Sequence, residues 1–162
     1  PGDRQHRLFE YLKRFDDGRP AILMDPNMAG WRAPRGYVED AAAAIAAAVL
    51  DERAAGRIYN VAEPEALSTA KWVRMIGQVT GWPGKVVIVP KDKLPGHLVP
   101  QINTDHDFVI DSTRIRKELD YHEVISRNEA LDRTVRWERA HPPDEIDLRQ
   151  FDCAAEDVSL AQ

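Results

Sequence analysis

The chain has 162 residues, of which 43% are hydrophobic and 30% charged, and a formal net charge of −5. That size and mix fit one ordinary globular domain with a core of its own. The acidic balance excludes a surface built for nucleic acid, which needs clustered Lys and Arg, and no apolar run is long enough to span a membrane.

Taken in chain order, Leu8, Leu12 and Phe15 recur at i, i+4 and i+7 and predict a helix stopped by Gly18. Ala21 to Met24 is a short apolar run that suits a strand. Asp25 to Pro34, with two prolines and a glycine, reads as a loop. Asp40 stands where an N-cap would open an alanine-rich helix over Ala41–Leu50. Gly56 closes that region, and the strand formers Ile58, Tyr59 and Val61 predict a strand over Arg57–Ala62. Ser68 caps the next helix, whose buried stripe is Trp72, Val73, Ile76 and Val79 and whose stop is Gly81. Val86–Val89 is a second strand, closed by Pro90. Lys91–Asp107 is an irregular connection. Asp111 or Ser112 starts a short helix carrying Ile115 and Leu119. Ser126 and Glu129 form a capping box for a helix that Pro142-Pro143 ends. Residues 150–162 are acidic and small, and a frayed tail is expected there. The alternation of helices and strands predicts an α/β fold with helices packed on a small, partly parallel sheet.

Three patterns suggest chemistry, and each has a stronger structural reading. Gly77, Gly81 and Gly84 are spaced like a dinucleotide loop, but they end a helix and lead into a strand, the reverse of what a phosphate cradle needs. Ser68-Thr69-Ala70-Lys71 matches Ser-x-x-Lys, yet a Ser cap with a solvated Lys in the first turn accounts for it. Asp105-His106-Asp107 could hold a metal, but adjacent residues rarely converge on one ion, so loop polarity is the expectation. No metal site, catalytic residue or cofactor-binding residue is expected on this chain. Cys153 is the one thiol, so no internal disulfide can form, and a cytoplasmic setting is expected. The start at Pro1-Gly2 suggests a chain trimmed from something longer.

Four segments in order resemble the extended short-chain dehydrogenase/reductases, the NAD-dependent epimerase/dehydratase family. They are Pro1-Gly2-Asp3, Arg35-Gly36-Tyr37-Val38-Glu39-Asp40-Ala41-Ala42, Gly56-Arg57-Ile58-Tyr59-Asn60-Val61, and Asp111-Ser112-Thr113-Arg114 through Glu118-Leu119-Asp120-Tyr121. Trp137-Glu138 in the last helix continues the match. The resemblance implies that residues 1–149 are the C-terminal, substrate-binding portion of a Rossmann-type enzyme. It implies NAD or NADP for the intact enzyme, although none is expected on this chain. The implied partners are a missing N-terminal dinucleotide-binding half and a small, sugar-like substrate; the resemblance allows a homo-oligomer. The family's Tyr-x-x-x-Lys pair is absent, because Tyr11, Tyr37, Tyr59 and Tyr121 are followed at that spacing by Phe15, Ala41, Glu63 and Ile125. Its Gly-rich first loop is absent too. The isolated chain is therefore expected not to catalyse, and an exposed apolar patch is expected on the Ala41–Val49 helix. The alternative is a stand-alone, non-catalytic binding module derived from the family.

Two departures from the family pattern matter. Asp120 takes the place of a Gly where the backbone often needs φ > 0. The stretch Gln101–Asp105 has no Arg to hold a pyrophosphate, which argues against a nucleotide-sugar substrate. In the family the loops corresponding to Asp25–Tyr37 and Pro95–Asp107 approach the substrate. The resemblance thus nominates Trp31, Arg32 and Arg35 on the first loop, a ring and two cations suited to a sugar-like or anionic ligand. On the second it nominates Asn103, Asp105 and His106.

Overall fold

A computed structural model of the chain describes residues 2–161; Pro1 of the first motif and Gln162 lie outside the described residues. The fold is α/β, with seven α-helices and a two-stranded parallel sheet among the described residues. Helix α1 (Phe9–Asp16) buries Leu12, Arg14 and Phe15, and Gly18 turns the chain at φ +71° into strand β1 (Ala21–Met24). All four β1 residues are buried. Side chains alternate across a strand, so β1 feeds two cores. Ile22 and Met24 join Leu12, Phe15, Trp72, Val73, Ile76, Leu131 and Val135 on one face, while Ala21 and Leu23 meet Val89 and Leu94 on the other.

The predicted loop after β1 contains a short helix, α2 (Pro26–Gly30). Asp25 caps it, its Oδ1 accepting from the amides of Asn27 at 2.9 Å and Met28 at 3.1 Å. Pro26 at the first helical position loses no hydrogen bond there, so the proline read as a loop signal is a helix start. Helix α3 (Val38–Leu50) also begins earlier than expected, and its flanking residue Tyr37 makes no side-chain cap. Asp40 lies inside the first turn, 7% exposed, and its Oδ1 accepts from the amides of Val124 at 2.8 Å and Ile125 at 3.1 Å. The predicted capping aspartate is instead a tie between two distant segments.

The predicted strand over Arg57–Ala62 does not form: the segment has no bridging partner among the described residues. Strand-forming side chains without a neighbouring strand leave a ladder unmade. The segment is strapped to α5 (Thr113–Leu119) and the residue before it instead. Ser112 Oγ donates to the Ala62 carbonyl at 2.9 Å, and Tyr59 donates from its hydroxyl to Glu118 at 2.8 Å. Ala44 of α3 packs with Ile115, Leu119 and Tyr121 in a third cluster. Asp120 ends α5 in the left-handed region at φ 54°, the conformation that the family's glycine would supply.

Helix α4 (Thr69–Thr80) matches its expected cap and stop: Ser68 Oγ accepts from the Lys71 amide at 3.3 Å, and Gly81 adopts φ +71°. Lys71 pairs with Glu65 at 3.0 Å, so the Ser-x-x-Lys pattern is a cap and a surface ion pair. Strand β2 (Lys85–Ile88) pairs with β1 in parallel, Ala21 against Lys85 through Met24 against Ile88. Between α4 and β2, Trp82 stacks on Phe15 at 4.2 Å and donates from Nε1 to the Arg19 carbonyl at 2.7 Å. Gly77 and Gly84 leave room for that indole: a Cβ on Gly84 would lie 2.2 Å from its ring. Helix α6 (Arg127–Ala140) opens with half of the expected capping box: Ser126 Oγ accepts from the Glu129 amide at 3.3 Å, while the Glu129 carboxylate pairs with Arg133 at 2.8 Å.

The tail departs most from its expectation. Leu148–Phe151 forms a 3-10 turn and Cys153–Leu160 forms helix α7, capped by Asp152. Glu156 of α7 is 1% exposed. The physical reason is its pairing with Arg14 at 2.7 Å, across 142 residues of sequence, which no local pattern signals. Among the described residues no helix is long and apolar enough to cross a membrane.

Candidate functional site

The two nominated loops meet. Thr69 donates from its amide to the Trp31 carbonyl at 2.9 Å, and Arg32 bridges Ser68, so the start of α4 anchors the first loop. Trp31 Nε1 then donates to the His106 carbonyl at 2.9 Å, and the Phe108 amide donates to the Arg32 carbonyl at 2.9 Å. The Arg32 amide and Nε donate to the two carboxylate oxygens of Asp107 at 2.9 and 2.8 Å. These bonds hold Asp107 below the usual carboxylate range. Asn27 reaches Asp105 at 3.4 Å, and Asn103 folds onto its own loop, accepting from the Asp105 amide at 2.8 Å. Trp31 and Arg32 are therefore tied to the 106–108 stretch, Trp31 through the His106 carbonyl and Arg32 through Asp107, while Asp105 meets Asn27 of the first loop. The Asp105-His106-Asp107 triplet is used as loop glue, its members turned to different partners.

Arg35 stands apart from that group. Its guanidinium lies over the Trp72 ring at 5.7 Å and donates only to the Pro34 carbonyl at 3.4 Å; among the described residues no carboxylate pairs with it. It is half-buried, and burial holds it below its ordinary value, with the charges of Tyr11 and Glu63 pulling the other way. Glu63 is raised by burial even though Arg127 sits 2.6 Å away. A partly desolvated arginine without a counter-ion is an acceptor-seeking group.

A cavity of about 210 Å³ lies beside β1, lined by residues of α1, β1 and the start of the second loop, among them Tyr11, Arg14, Met24, Met28, His97 and Gln101. Glu10 also lines it; this residue is accessible yet surrounded by protein, and burial raises its carboxyl. Tyr11 is raised well above its ordinary value by burial and by the Glu10 charge. The cavity draws Met28 from the first nominated loop and His97 to Gln101 from the second, but none of the six nominated residues lines it. The residues missed in the sequence are Glu10, Tyr11 and Arg14. Their available signal was polarity on the inner side of α1, where a plain amphipathic helix would be apolar. A further cavity of about 190 Å³ lies between α1 and α6, away from both loops.

No family model matches the chain. Among curated proteins it is 30% identical over 103 residues to a UDP-N-acetyl-alpha-D-glucosaminuronate decarboxylase of Bacillus cytotoxicus, an alignment covering 64% of this chain and 31% of that protein. Among solved structures, a putative epimerase from Burkholderia cenocepacia matches with a TM-score of 0.61 at 21% identity, over 86% of this chain and 43% of that one. The epimerase Mth375 of Methanothermobacter thermautotrophicus matches with a TM-score of 0.58 at 21% identity, over 80% and 36%. The chain resembles the NAD-dependent epimerases and dehydratases. Bordetella bronchiseptica WbmF, solved in complex with NAD+ and UDP, matches with a TM-score of 0.54 at 21% identity over 96% of this chain and 40% of that one. The chain thus spans about a third of the curated relative's length and well under half of these structures.

Proposed function

We propose that the chain is the C-terminal, substrate-binding portion of an NAD(P)-dependent epimerase/dehydratase-like oxidoreductase, and that it does not catalyse hydride transfer by itself. The observation that carries this reading is a pair of adjoining open faces. On α3, Val38, Ile45, Val49 and Leu50 are 54, 64, 75 and 84% exposed. Next to it in sequence, Arg57–Ala62 keeps strand-forming residues without a ladder, and Ile58 is 83% exposed. Strand-forming residues without a ladder, following an uncovered apolar helix, are what remains when a sheet is supplied by further polypeptide. The dinucleotide-binding portion is that further polypeptide. This chain's own glycines do not fit a dinucleotide: Gly81 ends a helix, and Gly77 and Gly84 are filled by the Trp82 ring.

The role of this chain is then to hold the substrate and keep water from it. The 210 Å³ cavity is smaller than the roughly 300–1,000 Å³ of a complete ligand site, so it takes one moiety while the added portion encloses the rest. Arg35 supplies the free positive charge for an anionic group; Trp31, Arg32, Asn103, Asp105 and His106 stand outside the cavity lining, on the two loops that send Met28 and His97–Gln101 into it. A sugar-like substrate fits these donors. The relatives' names point further, to nucleotide sugars, against the expectation drawn from the missing Arg at 101–105; Arg35 is the cation that can serve in its place.

Two measurements test this. The coding sequence upstream should specify a Gly-rich strand–turn–helix and a Tyr-x-x-x-Lys; a frame without them favours the stand-alone module. In the complete enzyme Arg35→Ala should lower kcat/KM at least tenfold, about 1.4 kcal/mol, without moving the melting temperature. Arg32→Ala should act less strongly, since Asp107 already engages Arg32. Wild-type kinetics in both variants would remove the two loops from the site.

A further inference from the structure

The cavity beside β1 has a basic end whose charge is answered from outside. Arg14 is 5% exposed, and a buried guanidinium must find a partner for each donor. Its Nε and Nη2 donate to Glu156 Oε1 at 2.9 and 2.7 Å, Nη1 to the Glu10 carbonyl at 2.9 Å, and Nη2 also to the Gln150 carbonyl at 2.7 Å. His97 Nε2 lies 3.1 Å from the same Glu156 oxygen. Arg19 Nε lies 3.7 Å from the other oxygen and has no hydrogen-bond partner of its own, while Arg19 Nη2 pairs with Asp157. One carboxylate on α7, itself 1% exposed, therefore meets three basic side chains. Two of them, Arg14 and His97, are also walls of the cavity.

With Glu156 in place the Arg14 fork is engaged and neutralised, so the walls offer hydrogen-bonding groups and apolar surface without a free cation. Without it, a desolvated guanidinium would face the same space with its charge unanswered, and such a group recruits an anion. We propose that Glu156 is a specificity-determining residue: it reserves the cavity for a neutral, hydroxyl- or carbonyl-bearing moiety of the ligand and excludes anionic ones. The inference rests on the reading that this cavity receives part of the substrate. It divides the labour of the site: the anionic part of the ligand belongs at Arg35, which has no carboxylate partner among the described residues, and the neutral part at Arg14, which has one.

The test uses the whole chain with methyl-labelled methionines. Met24 and Met28 line the cavity and Met75, on α4, does not, so the three methyl signals separate cavity binding from general effects. The probe is inorganic phosphate. In the wild type Met24 and Met28 should show no saturable shift up to about 50 mM phosphate. In Glu156→Gln they should saturate with an apparent Kd at least tenfold lower than any wild-type limit, with Met75 unmoved. Saturable shifts in the wild type, or none in a folded Glu156→Gln, would overturn the proposal. If Glu156→Gln does not fold, the Arg14→Met/Glu156→Met pair removes both charges at similar volume, an exchange that buried ion pairs often tolerate. It should fold and leave Met24 and Met28 silent to phosphate; phosphate binding by it, or failure to fold, would overturn the proposal. The kinetics of Arg35→Ala report on the substrate-site reading independently, so the two can fail separately.

Discussion

Asp40 offers a direct check on how the motif positions work. The perturbation is Asp40→Ala, beside Asp40→Asn. In the fold one carboxylate oxygen accepts from the amides of Val124 and Ile125, and the Asp40 carbonyl accepts from the Tyr121 hydroxyl at 3.2 Å. Alanine removes the acceptor and leaves two partly buried amides without one, at about 1–3 kcal/mol each, less whatever water recovers. It also removes a negative charge from the first turn of α3, at about 0.3–1 kcal/mol. The expected loss is roughly 2–4 kcal/mol, or about 5–15 °C in melting temperature for a domain of this size. Asparagine keeps an oxygen in place but makes the bonds neutral, so its loss should be about 1 kcal/mol. Urea unfolding followed by tryptophan fluorescence measures both, and the midpoint should fall with the slope unchanged. A loss below about 0.5 kcal/mol in Asp40→Ala would refute the tie. Equal losses in the two variants would assign the effect to charge and not to the accepted bonds.

Asp120→Gly should raise stability by a few tenths to about 1 kcal/mol, because it relieves a left-handed backbone at φ 54° while adding some freedom to the unfolded chain. The Arg53 pair that it loses is exposed on both sides and weighs little; a lower melting temperature would contradict this. Gly84→Ala should cost about 1–3 kcal/mol or more, since its Cβ would meet both the Trp82 ring and the Pro20 carbonyl, the latter at 2.7 Å. Gly36→Ala, with open space around it, should change melting by less than about 0.5 kcal/mol in the same assay. Glu123 is held below its ordinary value chiefly by hydrogen bonds from Arg116. A carboxylate lowered by folding adds stability above its unfolded pKa of about 4.3 and loses it as pH falls through the folded value. The melting-temperature gap between wild type and Glu123→Gln should therefore favour wild type near pH 7 and close in acid; a constant gap from pH 7 to pH 2 would reject the pairing.

What could be read in the sequence divides by the distance to each residue's partner. Ser68 and Gly81 bound α4 as expected because a cap and a left-handed stop are decided within four residues. The apolar run Ala21–Met24 became β1 because any buried strand needs such a run, whichever strand it pairs with. Asp25-Pro26 carried an equally local signal, a cap followed by proline at the first helical position, and reading the prolines only as breakers hid it. The remaining differences have partners far along the chain. Asp40 meets residues 84 and 85 positions on, Arg32 meets Asp107 75 positions on, and Arg14 meets Glu156 142 positions on. Each of these contacts changes a reading that was locally reasonable. An N-cap became a tie, one of two ligand-seeking arginines became loop glue, and a polar, fraying tail became a docked helix with a buried acid. Arg57–Ala62 is the inverse case: its residues suit a strand, but a strand also needs a neighbour, and none lies beside it among the described residues. The same reasoning explains why the six nominated residues converge only in part. Trp31 and His106 were placed by loops that α4 and Asp107 pull together, whereas the cavity beside β1 is lined from α1, a helix whose outline is legible in its apolar stripe and whose inner polar residues, Tyr11 and Arg14, acquire meaning only once His97 and α7 are folded against them.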